Sequence, residues 1–237
     1  MPIFYDPSIT GKETTFTLNA DESAHACRVL RMKEGDELTV LNGKGLVLNG
    51  KISNASPKGC VIIPKEIEQH DVSLVNIHIA IAPTKNSERM EWLFEKATEI
   101  GITEITLLSC RNSERKNIRA DRLEKILVSA MKQSQRSYLP ILNPIIGLKE
   151  FIQNHPNGLI AHCEKKDKMT IENAWSPINC PILIGPEGDF SSDEIQLALT
   201  NGYTPITLGE NRLRTETAGL VACMHAVLKH QEISSKP

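Results

Sequence analysis

A chain of 237 residues with 40% hydrophobic side chains is long enough to bury one large core or two modest ones, which excludes a disordered polypeptide. Its formal net charge of -2 excludes a uniformly basic body of the kind that lives on nucleic acid, and no window approaches the roughly 18 apolar residues of a membrane helix. Six scattered cysteines without a C-x-x-C pair, and a start (Met1-Pro2-Ile3-Phe4-Tyr5-Asp6) without the basic and apolar regions of a secretory signal, predict a reduced, cytoplasmic protein with no metal and no membrane contact.

Residues 1 to about 70 are β-rich. Short apolar runs at Thr14 to Leu18, Glu37 to Leu41, Leu46 to Ile52 and Cys60 to Ile67 are separated by turn residues, and Asn42-Gly43-Lys44-Gly45 predicts a hairpin because Asn and Gly accept positive φ. A helix from about Asp21 to Leu30, capped by Asn19 or Asp21, interrupts the strands, and a small barrel with one helix fits the pattern. After a polar junction near Glu68 to Asp71, strands alternate with helices, which predicts a parallel sheet covered on both faces. The strands are expected at Val75 to Ala82, Ile105 to Leu108, Leu159 to Cys163, Pro181 to Ile184 and Ile206 to Leu208. Helical spacing of apolar residues marks a helix from Met90 to Ile100 ended by Gly101. A second, from Arg122 to Gln135, turns Leu123, Ile126, Leu127, Ala130 and Met131 inward. In the last, Leu220, Val221, Met224, Val227 and Leu228 form the expected stripe. Ser191 and Glu194 have capping-box spacing, Phe190 and Ile195 can staple across it, and Gly202 can end that helix.

Charge is unevenly distributed. Between Arg111 and Arg136 there are eight basic residues against three acidic ones, enough to neutralise phosphates, although charge alone equally describes a solvated helix face. Ile184-Gly185-Pro186-Glu187-Gly188-Asp189 sits where a strand hands over to the capped helix, the position at which open α/β folds collect ligands; in isolation it also reads as a plain turn. Leu208-Gly209-Glu210-Asn211-Arg212-Leu213-Arg214-Thr215-Glu216-Thr217-Ala218-Gly219 again joins a strand to a helix, whose free amides and dipole favour a polar or anionic group. There is no G-x-x-x-x-G-K-[ST] phosphate loop and no G-x-S-x-G elbow. His25 and His162 are candidates for polar roles.

The segments Ile184 to Phe190 and Leu208 to Ala218 resemble the C-terminal signature of the RsmE family, which methylates N3 of a uridine in small-subunit (16S) ribosomal RNA. The likeness extends to His25-Ala26-Cys27-Arg28-Val29-Leu30-Arg31 and on to Asp36, to Glu95 through Gly101, to Arg111 with Ser113-Glu114-Arg115, and to Gln133-Ser134 with Arg136, so it spans nearly the whole chain in order. Asp189 stands where the family usually carries Gly, and Arg212 is displaced by one position. The resemblance implies a PUA-like RNA-binding barrel over 1-70 and a SPOUT-type α/β domain over 71-237, with a parallel sheet and a trefoil knot. It also implies a homodimer using S-adenosyl-L-methionine and acting on 16S ribosomal RNA in the small ribosomal subunit. His162, Ile184, Gly185, Pro186, Glu187, Gly188, Leu208, Gly209, Leu213, Arg214, Thr215, Thr217 and Ala218 would then hold the cofactor. His25, Arg28, Arg31, Arg111, Arg115, Lys116 and Arg136 would meet RNA. Arg214 would stabilise charge on the base, with Arg136 or Arg115 of a second subunit as helpers, and Glu187, Asp189 or Glu216 would accept the proton. A noncatalytic RNA-binding protein of the same architecture remains the alternative.

Overall fold

The computed structural model describes residues 1-71, 76-114, 118-165, 167-177 and 180-234. Arg115 and Lys116, two of the expected RNA contacts, and Val75 at the head of an expected strand lie outside the described residues. The chain divides into two compact units, Met1–Ser73 with Val128–Leu139, and Leu74–Leu127 with Pro140–Pro237.

The first unit contains β1 (Ile3–Tyr5), β2 (Phe16–Thr17), α1 (Ala20–Ala24), β3 (Glu37–Leu41), β4 (Leu46–Asn54) and β5 (Val61–Gln69) in a five-stranded sheet of order β1-β3-β4-β5-β2. The expected hairpin joins β3 to β4: Gly43 and Gly45 take φ of 72° and 93°, and Asn42 Oδ1 accepts from the Lys44 and Leu46 amides. Register shifts along β4 and β5 mark bulges, where strands bend most, and the sheet curls around Phe4, Leu18, Leu38, Leu48, Ile52 and Ile62. Asn19 caps α1 as anticipated, accepting from the Glu22 amide, but the predicted helix does not continue regularly. His25–Val29 form a π-helical turn, which leaves Val29 and Leu30 exposed.

The second stretch of this unit, residues 128–139, is held by specific polar contacts. Lys132 Nζ lies 2.6 Å from Glu22 Oε1, with both side chains largely buried, and 5.8 Å from the centroid of the Phe4 ring. Tyr138 donates its hydroxyl to the His70 carbonyl, and the Gly45 amide donates to the Ser137 carbonyl. A Cβ on Gly45 would meet the Tyr138 hydroxyl at 2.3 Å, so this turn requires glycine for space as well as for φ.

The second unit is built on β6 (His78–Ile81), α2 (Ser87–Ile100), β7 (Glu104–Ser109), the start of α3 (Ala120–Gln133), β8 (Ile141–Gly147), α4 (Leu148–Asn154), β9 (Gly158–Ala161), β10 (Met169–Thr170), α5 (Ile171–Ala174), β11 (Ile182–Ile184), α6 (Ser192–Thr200), β12 (Tyr203–Thr207) and α7 (Thr215–Ser234). Its seven strands are all parallel, in the order β10-β12-β9-β11-β6-β7-β8. Alternation along β6 sends Ala80 and Ala82 into a core with Phe151 of α4 and Ile195 and Ala198 of α6, whereas Ile81 points toward α7. Helices therefore cover both faces, as a parallel sheet requires. The capping box at Ser191 and Glu194 is complete, and Gly101 ends α2 at φ 135°.

The last helix departs from its expected stripe. Gly219, Ala222, Cys223 and Ala226 are buried, while Met224 and Leu228 are 42% and 49% exposed. The cause is close approach: a Cβ on Gly219 would sit 2.9 Å from Ile81 Cδ1 and 3.3 Å from a Leu93 methyl, so α7 turns its smallest residues toward β6 and α2. Among the cysteines Cys163 is exposed, whereas Cys27 is half-buried and packs against the core of the first unit.

Candidate active site

Parallel strands deliver successive loops to one edge of the sheet. The adjacent strands β12, β9 and β11 release residues 208–214, 162–165 and 185–190 at that edge, and these loops together with Lys168 enclose two adjoining cavities. One, of about 360 Å³, is bounded by Ile184, Gly185, Pro186 and Glu187 on one side and by Leu213, Arg214, Thr215 and Ala218 on the other. Ala161, Cys163, Asp189 and Arg212 complete it. The second, of about 430 Å³, is lined by His162, Lys168, Leu208, Gly209, Glu210 and Asn211, and shares Ala161, Cys163, Arg212, Leu213 and Ala218 with the first.

Short-range bonds hold this arrangement. The Thr215 hydroxyl donates to the Gly185 carbonyl (3.0 Å, buried), seating the first turn of α7 against the loop after β11. The Lys85 amide donates to Glu187 Oε1 (2.9 Å), and Asn112 Nδ2 to the carbonyl oxygens of Gly188 and Asp189 (3.3 and 3.0 Å). Both Asp189 carboxylate oxygens accept main-chain amides, Oδ2 from Cys163 and Oδ1 from Phe190, each at 2.8 Å. Burial, then the neighbouring Asp189 carboxylate, push the Cys163 thiol up, partly opposed by Arg212. Two glycines suit this arrangement. A Cβ on Gly185 would come 3.1 Å from the Phe190 ring, and Gly209 adopts φ 125°, which side-chain-bearing residues rarely tolerate.

Of the residues predicted to hold a cofactor, His162, Ile184, Gly185, Pro186, Glu187, Leu208, Gly209, Leu213, Arg214, Thr215 and Ala218 line one or both cavities. Gly188 and Thr217 are not among the lining residues; Gly188 is braced by Asn112 instead. Glu216 is turned away, toward α2. Its carboxylate is buried, with Oε1 3.7 Å from Arg89 Nε and Oε2 without a hydrogen-bond partner among the described residues. In the first unit His25, Arg28 and Arg31 lie exposed on and just after the π-helical turn, with Arg31 at φ 55°. Arg111 is exposed but paired with Asp193 (3.1 Å), and Arg119 and Arg122 are paired with Asp121 and Glu91. The basic segment is therefore partly neutralised within the chain. Arg136 is half-buried.

An RNA methyltransferase domain model matches residues 71–227 and an RNA methyltransferase PUA domain model residues 18–65. The Ribosomal RNA small subunit methyltransferase E of Buchnera aphidicola is 34% identical, over 87% of this chain and 85% of that protein. The chain belongs to the ribosomal RNA small subunit methyltransferase E family. The crystal structure of a probable rRNA-methyltransferase from Porphyromonas gingivalis superposes with a TM-score of 0.85 at 40% identity, covering 99% of this chain and 98% of that one. That of the Neisseria gonorrhoeae family member, bound to S-adenosyl methionine, does so with a TM-score of 0.82 at 28% identity, covering 98% of each.

Sequence patterns located the glycine loops but not their braces. Lys85 braces Glu187 through its main-chain amide, and Asn112 comes from the loop after β7, far from either motif. Neither residue type at those positions carries a signal of its own. Arg212 falls inside the segment Leu208 to Gly219, whereas Cys163 was expected to end a strand and Lys168 lies beyond it; β9 stops at Ala161, and all three residues line the cavities.

Proposed function

We propose that this protein transfers the methyl group of S-adenosyl-L-methionine to N3 of a uridine in 16S ribosomal RNA. The observation that carries this is the pair of adjoining cavities at one sheet edge, walled by three strand-end loops that set Glu187 and Arg214 in the same lining. The cofactor fits the residues present. The cavities fall in the size range of small-molecule sites, Gly185 and Gly209 keep the walls free of side chains, and Leu208, Leu213 and Ala218 supply apolar surface beside main-chain polar groups. When bound, the cofactor supplies an electrophilic methyl on a sulfonium.

The chain's own contribution is positioning and charge. The uridine N3 proton leaves only some two pH units above neutrality, so the site must offset on the order of 3 kcal/mol. Arg214, exposed at the cavity rim, stabilises negative charge on the uracil carbonyl oxygens. Glu187, held through its Oε1 by the Lys85 amide, is the carboxylate best placed to receive the proton, since both Asp189 oxygens are engaged and Glu216 faces Arg89. The PUA-matched unit grips RNA through His25, Arg28 and Arg31, with Arg111, Arg115, Lys116 and Arg136 contributing from the basic segment. In this reading residues 1-70 form the PUA-like RNA-binding domain and residues 71-237 carry out the transfer and add basic contacts to the RNA, in the cytoplasm and on the small ribosomal subunit.

A second copy of the chain completes the enzyme in this reading, and the exposed Trp92, Met224 and Leu228 on α2 and α7 support it. The segment from β12 through α7 is read as threading a trefoil knot. The seating of Thr215 on Gly185 and the packing of α7 on β6 and β11 support that path.

The test is methyl transfer from labelled S-adenosylmethionine to small ribosomal subunits and naked RNA from cells lacking this protein, with the nucleoside identified by mass spectrometry. The expected product is 3-methyluridine at one site, strongly reduced in Arg214→Ala. Cofactor binding without transfer would instead favour the noncatalytic RNA-binding alternative.

A further inference from the structure

Asp189 occupies a backbone conformation that costs an ordinary L-residue on the order of 1 kcal/mol, with φ 63°, at a position where the family resemblance leads one to expect glycine. What the side chain does there accounts for its presence. Oδ1 accepts from the Phe190 amide, which fixes the carboxylate relative to its own backbone, and Oδ2 reaches across to the Cys163 amide in the loop after β9. The Asp189 amide closes the turn onto the Pro186 carbonyl, and its carbonyl is held by Asn112. The residue is thus anchored on its own loop and extends one charged acceptor to another. A further side-chain bond from the loop after β9, Ser192 Oγ to Glu164 Oε1 at 2.8 Å, reaches the first residue of α6 and not the loop after β11. Cys163 lines both cavities and Asp189 the first, so the Asp189–Cys163 bond lies in the wall the two cavities share.

We propose that Asp189 is a positioning residue whose carboxylate latches the loop after β9 to the loop after β11, assembling the shared cavity wall before the cofactor arrives and so setting cofactor affinity. This rests on the reading of these cavities as the S-adenosylmethionine site. A charge-assisted bond to a main-chain amide is worth enough to change affinity about tenfold or more when it is lost. Glycine removes the latch while relieving the left-handed strain. Asparagine tolerates the same φ and retains one oxygen able to accept from Cys163.

The experiment compares the full chain with Asp189→Gly and Asp189→Asn by calorimetric titration with S-adenosylmethionine, by steady-state kinetics, by thermal melting and by hydrogen exchange of the peptide carrying Cys163 in the cofactor-free protein. The expected result is a Kd and KM for S-adenosylmethionine raised about tenfold in the glycine variant and only a few-fold in the asparagine one. At saturating cofactor kcat stays within about twofold, the melting temperature stays within a few degrees, and exchange at Cys163 is faster. Equal affinity in wild type and Asp189→Gly overturns the latch while leaving the cofactor site intact. Affinity, kcat and melting temperature falling together, with no rescue by asparagine, overturns it in favour of a role in folding alone. Absence of S-adenosylmethionine binding by the wild type overturns the underlying site assignment, and the latch with it.

Discussion

Lowering the pH from 7.5 to 5.0 should destabilise the second unit through a single imidazole. His78 is buried at the start of β6, with Nε2 2.8 Å from Thr106 Oγ1, Nδ1 3.7 Å from Glu104 and the His155 ring 5.6 Å away. Burial pulls its pKa down from 6.5 to about 4; Glu104 opposes the shift and His155 adds to it. Between those two values the unfolded chain binds a proton that the folded chain does not, so this contribution is fully present above pH 6.5 and is lost as pH falls toward 4. The whole gap corresponds to ~3 kcal/mol, of which ~2 kcal/mol is lost by pH 5. The assay is urea denaturation followed by tryptophan fluorescence, which reports this unit because Trp92 and Trp175 both belong to it. His78→Gln removes the imidazole and leaves the rest of the chain unchanged, so the difference between the two proteins reports its contribution. Wild type should lose ~2 kcal/mol more than His78→Gln over this pH interval. Equal losses in the two proteins would refute a buried neutral imidazole.

Three further outcomes can be checked with modest effort. Gly219→Val places side-chain atoms where Ile81 Cδ1 already stands 2.9 Å from a Cβ, and should cost ~1–3 kcal/mol in the same denaturation assay. Ser191→Ala removes half of the complete capping box of α6 and should cost ~1 kcal/mol. For RNA binding, Arg28→Ala and Arg31→Ala should each reduce the slope of log affinity against log salt concentration by about one, and an unchanged slope would remove the π-helical turn from the phosphate-binding surface.

The features legible in the sequence were those enforced locally. The capping box at Ser191 and Glu194, the Gly101 stop and the hairpin at Asn42 to Gly45 each follow from contacts within a few residues, and each stands where the pattern placed it. Strand β8 escaped because Pro144 interrupts an apolar run. The structure explains its tolerance, since β8 lies at the edge of the sheet and its register slips against β7. Helix α4 is one short run whose cap, Gly147, offers no side-chain bond, so it carried no start signal. The stripe on α7 was misread because periodicity weighs Met224 and Leu228 above glycine and alanine, whereas a close crossing selects the small residues. The same limit applies within the site. The two glycine loops were evident, but nothing local distinguishes a carboxylate facing the cavity at Glu187 from one turned to Arg89 at Glu216.

The first unit is discontinuous in sequence, and this bears on how the protein is made. A chain emerging from the ribosome presents β1 to β5 long before Lys132, Ser137 and Tyr138, which supply the partners of Glu22, Gly45 and His70. Its amino-terminal sheet must therefore wait, with Glu22 lacking its cation, until the 54 residues Leu74–Leu127 of the other unit have been synthesised. Folding of the two units is coupled in time by the order of translation, and a split of the gene near codon 70 would deprive the first product of its closing segment.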